Sequence, residues 1–570
     1  QHKAVHRMLR GSQQPRFIFN HAMGAGKTVS AVIAMLTNFV MEKKAEISLI
    51  VAPKSTLIQW KDTILAWTLI KQDEILHTSK SSDITTENIQ GKLVVITTPS
   101  CVVNAFKSCF QEYEEWESYV DKKGSERFRK GWGRKGMTKI ASGWYQAPTG
   151  HEENFPLHAI FREFGMLILD EVHAYRGINT ISNEAIKRVA KMAHKVLGLT
   201  GTLVFNKPLD LLGITTAMDI EDDTIASLKD KAIACDSKAL LQVMRHMDTY
   251  TDRVGEKELA LPDIFMRGVD MTLDVHDSTG QFLNYYRSKM KEAIQIRKRI
   301  ESGMDNTDNI KNLADFVAAL NSLQQFVVSP LLAIHGCDTF ERDPNMMEMA
   351  VQPEHVTGCM KTLAAELRKL QGRGHNLIVV ASDKVMPMRI LMQYLRKSCA
   401  GEFGDLMLYT GSLSEAQRNS VKRDFLAAER AVLFLSIKAG GCGLDLIPNC
   451  EAMVFVGPIP FSPAAFLQCT RRIYRVGQTC ERTGSVEIVC IVAHGSIDHG
   501  VCGLHFFKQS ALDWVQDGIM PKSGDSTGVF VTCKVLDQAK MPVSCQGGYM
   551  NFPVQNGAFD LMPNIRVEAV

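Results

Sequence analysis

The sequence predicts an α/β protein made of two parallel-sheet domains in tandem, with a helical insertion between them. Three observations carry this. Short β-branched apolar runs alternate with amphipathic helical patterns over two separate stretches, as in parallel sheets covered on both faces. Each run stops where polar or glycine-rich residues begin, which is where parallel sheets gather their ligands. Between the stretches helical patterns dominate, including the basic YYRSKMKEAIQIRKRI. At 570 residues the chain also exceeds what one core can organise.

In the first stretch FIFN, SLIVAP, LVVITT and MLILDE read as buried strands; in the second NLIVVAS, LMLYTG, AVLFLS, AMVFVG and SVEIVCIV repeat the arrangement. The implied division is a first sheet domain over 1–214, a helical bridge over 215–354, a second sheet domain over 355–515 and a C-terminal extension over 516–570 that is rich in Gly, Pro and Ser. Within the first domain, 112–155 reads as a basic surface insertion, expected as a loop. Its segment 122–145 carries eight cations with Trp132, Trp144 and Tyr145, which suits stacking on nucleic acid and equally suits a solvated surface.

Composition narrows the class without naming a partner. Hydrophobic residues make up 45% and charged residues 22%, ordinary for a globular protein, and a net charge of +3 leaves room for a local basic groove. Fourteen cysteines without a C-x-x-C pair argue against a zinc finger or a disulfide framework and for reduced thiols inside a cell. No run approaches the roughly 18 uncharged apolar residues that span a bilayer, so a soluble chain without a membrane partner is expected. The first residue is Gln1 rather than Met, as in a portion of something longer.

The chemistry begins at FNHAMGAGKT. Ala22 to Thr28 reads as a phosphate loop between a strand and a helix, with Ala22 in place of the usual first glycine. Small residues there let backbone N–H groups approach phosphate oxygens, and the helix N-terminus favours the anion. Lys27 offers a point charge to the β- and γ-phosphates, and Thr28 a hydroxyl to Mg²⁺. MLILDEVH closes a strand on two acids: Asp170 suits a water-mediated grip on Mg²⁺ and Glu171 suits polarising an attacking water. LGLTGTLVFN, Leu197 to Asn206, reads equally as a turn after a strand or as a loop that senses the γ-phosphate. LQCTRRIYRVGQ places Arg472 and Arg475 on one helical face, suited to charge developing on a transferred phosphoryl group.

Taken in order, these motifs resemble helicase superfamily two, and in detail its Swi/Snf-type DNA translocases. VAPKSTLIQWKDTI and VVITTPS are similar to the family's early motifs. SIKAGGCGLDL with QCTRRIYRVGQT resembles its late pair, S-L-K-A-G-G-x-G-L-N-L and Q-x-x-D-R-x-H-R-I-G-Q. VDMTLDVHDSTGQFLNYY, LQQFVVSPLLA and TGCMKTL extend the likeness to about residues 1–510.

The resemblance implies two RecA-like domains, ATP and Mg²⁺ as cofactors, and catalytic roles for Lys27, Asp170, Glu171, Arg472 and Arg475. It implies nucleotide contacts from Gln1, Met23, Gly24, Ala25, Gly26, Lys27, Thr28, Gly443, Asp445 and Gln468, and metal contacts from Thr28 and Asp170. Nucleic-acid backbone contacts would come from Pro53, Lys54, Ser55, Thr98 and Ser100 in the first domain. In the second they would come from Ser382, Gly411, Ser412, Lys438 and Gly440. The implied activity is ATP-dependent, DNA-stimulated translocation on double-stranded DNA that remodels or displaces bound protein, nucleosomes included, without strand separation. The implied location is the nucleus or, for a viral protein, the site of viral DNA.

Several positions depart from the family pattern. Arg471 stands where an acid is usual and Tyr474 where a histidine is usual. Phe461 is the only aromatic in PIPFSPA, where the family carries paired tryptophans. The acidic box is DEVH rather than DEAH or DEGH, which spares both acids. No Cys/His spacing supports a zinc-binding RING insertion. Two other readings stay open: a viral-type superfamily-two nucleoside triphosphatase acting in transcription termination or on RNA, and a non-motor scaffold with a vestigial ATP site. The sequence carries no signal for oligomeric state.

Overall fold

The computed structural model describes residues 4–6, 8, 16–22, 24–42, 46–108, 158–178, 180–203, 210–233, 237–255, 258–271, 275–301, 306–440, 444–457, 460, 462–493, 496–498 and 500–501, with backbone strands within 115–146 and 544–569. The chain forms two units, Gln1–Glu258 and Leu259–Val570.

The first unit is built on strands β1 Arg16–His21, β2 Ser48–Val51, β3 Ile75–His77, β4 Val94–Thr97, β5 Phe164–Asp170, β6 Ala193–Thr200 and β7 Thr251–Val254. They lie in the order β7-β1-β6-β5-β2-β4-β3, all parallel. β2 and β4 are wholly buried, and β5 is buried up to Asp170, which is why these strands read as continuous apolar runs rather than alternating ones. The register sets Leu199 beside Asp170, Asn20 beside Thr200 and Val51 beside Leu169. The segments that leave these strands therefore emerge along one edge.

The second unit repeats the plan with β8 Ile264–Met271, β9 Leu377–Ser382, β10 Asp405–Tyr409, β11 Ala431–Ser436, β12 Ala452–Phe455, β13 Val486–Ala493 and β14 Arg566–Ala569. Their order is β10-β11-β9-β12-β13-β8-β14, again all parallel. β9, β11, β12 and β13 are buried along their whole length.

The segment expected as one bridge, 215–354, is divided between the units. Helices Asp210–Ala217, Asp223–Ile233 and Ser237–Met247 lead into β7, which pairs with β1. β8 pairs with β13 from Ile264↔Val486 to Met271↔Ala493. The long helices Gln281–Glu301 and Asn306–Val328 follow, and Phe316, Leu320, Leu323 and Phe326 share one core with Val379 and Phe434 of the second sheet. Strand pairing and shared burial thus assign the bridge, whereas its helical pattern alone did not. In the insertion, Glu115–Val120 pairs with Glu126–Gly131 and Thr138–Ala141 with Trp144–Gln146, two antiparallel hairpins where a loop was expected. Most of the 516–570 extension lies outside the described residues. Among the described residues no helix is long and apolar enough to cross a membrane, and the cysteines are free thiols, all but Cys337 buried.

One polar cluster sits inside the second core. Arg267 on β8 has no exposed surface and meets Glu366 at 2.6 Å and Glu487 on β13 at 2.8 Å. Lys369 reaches Glu366 at 2.8 Å, while Arg373 and His375 approach Glu487 at 2.7 and 3.3 Å. Burial alone would raise the Glu487 carboxyl, but hydrogen bonds from His375 and Arg267 and the charges of Arg267 and Arg373 outweigh it and hold it at about 2. Removing one member leaves a buried charge without its partner, so Glu487→Ala is expected to destabilise the protein by about 3–5 kcal/mol in denaturant unfolding at neutral pH. A depressed carboxyl stabilises the fold above its ordinary value and stops doing so as pH falls through its folded one. The gap between wild type and variant should therefore narrow between 4.5 and about 2.

Candidate nucleotide and nucleic-acid site

β1 ends at His21, and the chain turns through Gly24 and Gly26 at φ +87° and +78° before the helix Lys27–Glu42 begins. Only glycine takes that left-handed region without strain, so the two glycines are dictated by the turn. Counting back six residues from Lys27, the first glycine of the phosphate-loop pattern falls on His21, which corrects the assignment to Ala22. The His21 ring is kept out of the loop: it is buried, stacks on Phe19 at 5.0 Å and sets Nε2 2.9 Å from Asp252 of β7. Burial lowers its pKa, with Asp252 opposing. The backbone of this stretch takes up the lysine instead, since Lys27 Nζ donates to the carbonyls of His21 at 2.9 Å and Ala22 at 3.4 Å. Ala25 and Thr28 flank it on the same turn.

Asp170 closes β5. Its Oδ2 accepts the indole N–H of Trp60 at 3.0 Å and lies 3.4 Å from the Thr56 hydroxyl, and its Oδ1 accepts the Glu171 N–H at 3.1 Å. Burial and then the neighbouring Glu171 charge push its carboxyl up to about 6, against the Trp60 donor and the charge of Lys27. The loop lysine and the strand-end acid are therefore in electrostatic reach of one another. Glu171 adopts φ 52°, ψ 54°, a left-handed conformation for a residue with a Cβ, a strain of about 1–2 kcal/mol. The turn Val172–Tyr175 that follows holds it, with Ala174 N donating to Glu171 O at 2.8 Å.

Sequence reasoning missed His173, Thr56 and Trp60. His173 is buried, with Nδ1 3.2 Å from Glu171 Oε2 and 3.1 Å from Thr200 Oγ1, and Thr200 donates to Thr202 O at 2.8 Å. The acidic box is thereby linked to the LGLTGT segment, whose reading the sequence left open. The H of DEVH was the visible signal, and the Q-W pair after β2 was the signal for Trp60.

The residues expected on nucleic acid also lie at carboxyl ends of strands. Pro53, Lys54 and Ser55 follow β2, and Thr98 and Ser100 follow β4 with their hydroxyls 2.9 Å apart. In the second unit Thr410 and Ser412 repeat that pairing at 2.8 Å after β10, beside Gly411, whose carbonyl accepts from Arg418 at 2.7 Å. Ser382 ends β9 and donates to Gly457 O at 3.2 Å, and Lys438 and Gly440 sit in the short helix Ile437–Gly440 after β11.

Gln468 lies on the helix Pro463–Thr470 and is buried. Just beyond, Arg472 is buried and donates from Nη1 to Leu444 O at 3.1 Å, while Arg475 Nη1 stands 3.5 Å from Asp445 Oδ2. The two departures from the family pattern meet each other, since the Arg471 guanidinium lies 4.4 Å over the Tyr474 ring. The buried Arg471 cation, standing where an acid is usual, is thus received by a π face. Gln1, Met23, Gly443 and Phe461 lie outside the described residues.

Two parallel sheets, one with a glycine-turned loop and an acidic strand end and the other with a nearby pair of arginines, suit an ATP-hydrolysing protein of the helicase class. Family models agree: the SNF2-related domain matches residues 1–222 and the helicase conserved C-terminal domain matches 359–477. The chain belongs to the Swi/Snf-type branch of helicase superfamily two. It is 24% identical over 383 residues to a DNA repair and recombination protein RAD54-like of Drosophila pseudoobscura pseudoobscura, covering 62% of this chain and 46% of the relative. It is 25% identical over 336 residues to a probable global transactivator of Orgyia pseudotsugata multicapsid polyhedrosis virus, covering 56% and 60%. The chain thus spans less than half the length of the first of these. A solved Sulfolobus solfataricus SWI2/SNF2 ATPase core in complex with dsDNA aligns over 91% of each chain at 17% identity with a TM-score of 0.32.

The loop geometry yields a test that needs no ligand. Gly26→Ala forces a Cβ into the left-handed region and is expected to lower stability by about 1–2 kcal/mol, read from thermal unfolding of the nucleotide-free protein.

Proposed function

We propose that this chain is a nucleic-acid-stimulated ATP hydrolase that moves along double-stranded DNA and remodels or displaces the protein bound there, without separating the strands. The observation that carries this reading is the meeting of Lys27, Asp170 and Glu171 at the carboxyl edge of the first sheet, beside a loop whose two glycines hold the conformation a phosphate cradle needs. In this reading the loop N–H groups and Lys27 take the phosphates, and Glu171 accepts the proton of the attacking water. Arg472 and Arg475 answer charge developing on the transferred phosphoryl.

The residues fit a divalent cation. Asp170 is raised in part because Glu171 adds a second negative charge, an excess that a divalent ion would relieve. Among the described residues no group of three or more His, Cys, Asp or Glu is placed to hold a metal alone. That suits an ion that takes one carboxylate and a hydroxyl from the protein and the rest from phosphate and water. Asp170 and Thr28 would hold it, and bound Mg²⁺ would supply charge neutralisation on the phosphates.

The strand-end hydroxyls, amides and Lys54 and Lys438 suit contact with phosphates rather than bases, so little sequence preference is expected. The RAD54-like relative supports a nuclear setting, and the viral relative supports a role at viral DNA instead.

Phosphate release by the full chain, with and without duplex DNA, followed by displacement of a triplex strand, tests the proposal. Duplex DNA should stimulate turnover and ATP should drive displacement. Stimulation confined to RNA or single strands would favour a viral-type triphosphatase acting on RNA. Glu171→Gln should keep ATP binding within a few-fold while turnover falls by at least about 10²-fold; unchanged phosphate release would remove Glu171 as the base.

A further inference from the structure

The acid expected to face the metal and the loop expected to grip nucleic acid are joined by hydrogen bonds that no motif announces. Loop 53–55 runs through the short turn Lys54–Thr56 directly into the helix Leu57–Trp67. Thr56, half-buried at the junction, has its Oγ1 3.0 Å from the Pro53 carbonyl and 3.4 Å from Asp170 Oδ2. Both are acceptors and the hydroxyl has one proton, so it serves one of them at a time. One turn further, Trp60 is 1% exposed and its indole N–H donates to the same Oδ2 at 3.0 Å. The indole has no other donor and cannot turn without repacking the core around it.

We infer that Trp60 and Thr56 are positioning residues that couple the 53–56 loop to Asp170: Trp60 fixes the carboxylate, and Thr56 moves its proton between the loop carbonyl and that carboxylate. A polyanion that shifts loop 53–55 changes which acceptor Thr56 serves, and with it the electron density Asp170 offers to a cation. In the other direction, a cation drawing on Asp170 releases the Thr56 proton to Pro53 and tightens the turn under the loop. Indirect hydrogen-bond partners of this kind commonly change metal affinity by 10–100-fold. The inference rests on the functional reading above, because it takes Asp170 to face a metal and loop 53–55 to face nucleic acid.

The test uses the full chain with Trp60→Phe, which keeps the ring and removes the donor, and Thr56→Val, which keeps the shape and removes the proton. Mn²⁺ binding in the presence of a non-hydrolysable ATP analogue, followed by its paramagnetic signal, reads Asp170 without turnover. Trp60→Phe should weaken Mn²⁺ by about tenfold while analogue binding without metal stays within twofold. Thr56→Val should lower the ratio of duplex-stimulated to basal phosphate release at least fivefold. Thermal midpoints are recorded for both; should Trp60→Phe fold poorly, Mn²⁺ binding to Thr56→Val carries the metal arm, with a loss of at least threefold expected. Mn²⁺ affinity unchanged within twofold, or an unchanged stimulation ratio, overturns the coupling. Wild type that binds Mn²⁺ with nucleotide yet shows no stimulation by duplex DNA would instead sink the functional reading and leave the metal arm to be judged by itself.

Discussion

Asp170 is a half-buried carboxylate at the end of an apolar strand, and the groups around it decide how readily it keeps its charge. Burial and a second acid beside it both favour the neutral form, so every group near it acts on the balance: Trp60 by a hydrogen bond, Lys27 by charge, Glu171 by its amide. These groups lie in the segments that follow three different strands, β2, β1 and β5, and the parallel sheet delivers them to one edge. The strain at Glu171 belongs to the same economy, because its left-handed turn directs the chain away from the strand end while the His173 ring stays against Thr200.

The second unit handles charge differently at its two ends. At the Arg267 cluster the buried Arg267, His375, Glu366 and Glu487 pair at 2.6–3.3 Å while Lys369 and Arg373 reach in from the surface, and the pairing ties β8 to β13 and to the helix Gly358–Gly372. The cluster thus sits on the strand by which the polypeptide enters the second sheet. At the opposite end of the chain's second half, Arg471, Arg472 and Arg475 crowd one short segment and are received by a ring, a carbonyl and Asp445. The family pattern has an acid at 471 and an amide at 445; this chain carries the acid at 445 and a cation at 471. Asp445 thereby gives Arg475 a partner that the pattern alone does not foresee.

Particular elements explain what was legible. The nine apolar runs read as strands are all strands; most are buried on both faces, which leaves no alternation to misread, and the half-buried β10 still reads as a run of apolar residues. β3 and β7 were not read, being three and four residues long with polar positions among them, and neither was the longer β8, whose apolar run is broken by Arg267, Gly268 and Asp270. The bridge was read as a unit because helical periodicity carries no address; its division followed from two strands, β7 and β8, that pair with different sheets. Lys27, Asp170 and Glu171 could be singled out because they end or follow strands in patterns with few uses. Trp60 was not, because a tryptophan on an amphipathic helix reads as core, and core it is, apart from one N–H.

By itself the sequence determined the class of fold, the two sheets, the phosphate loop and the identity of the charged groups, since all of these are written in local pattern: strand burial, glycine at positive φ, acids after an apolar run. Only the tertiary structure decided which of those groups bear on one another. Trp60 lies 110 residues from Asp170, His173 lies 27 from Thr200 and Arg267 lies 220 from Glu487. Contacts across such separations depend on strand order and register, which neighbouring residues do not encode, because parallel pairing is set by the packing of the whole sheet.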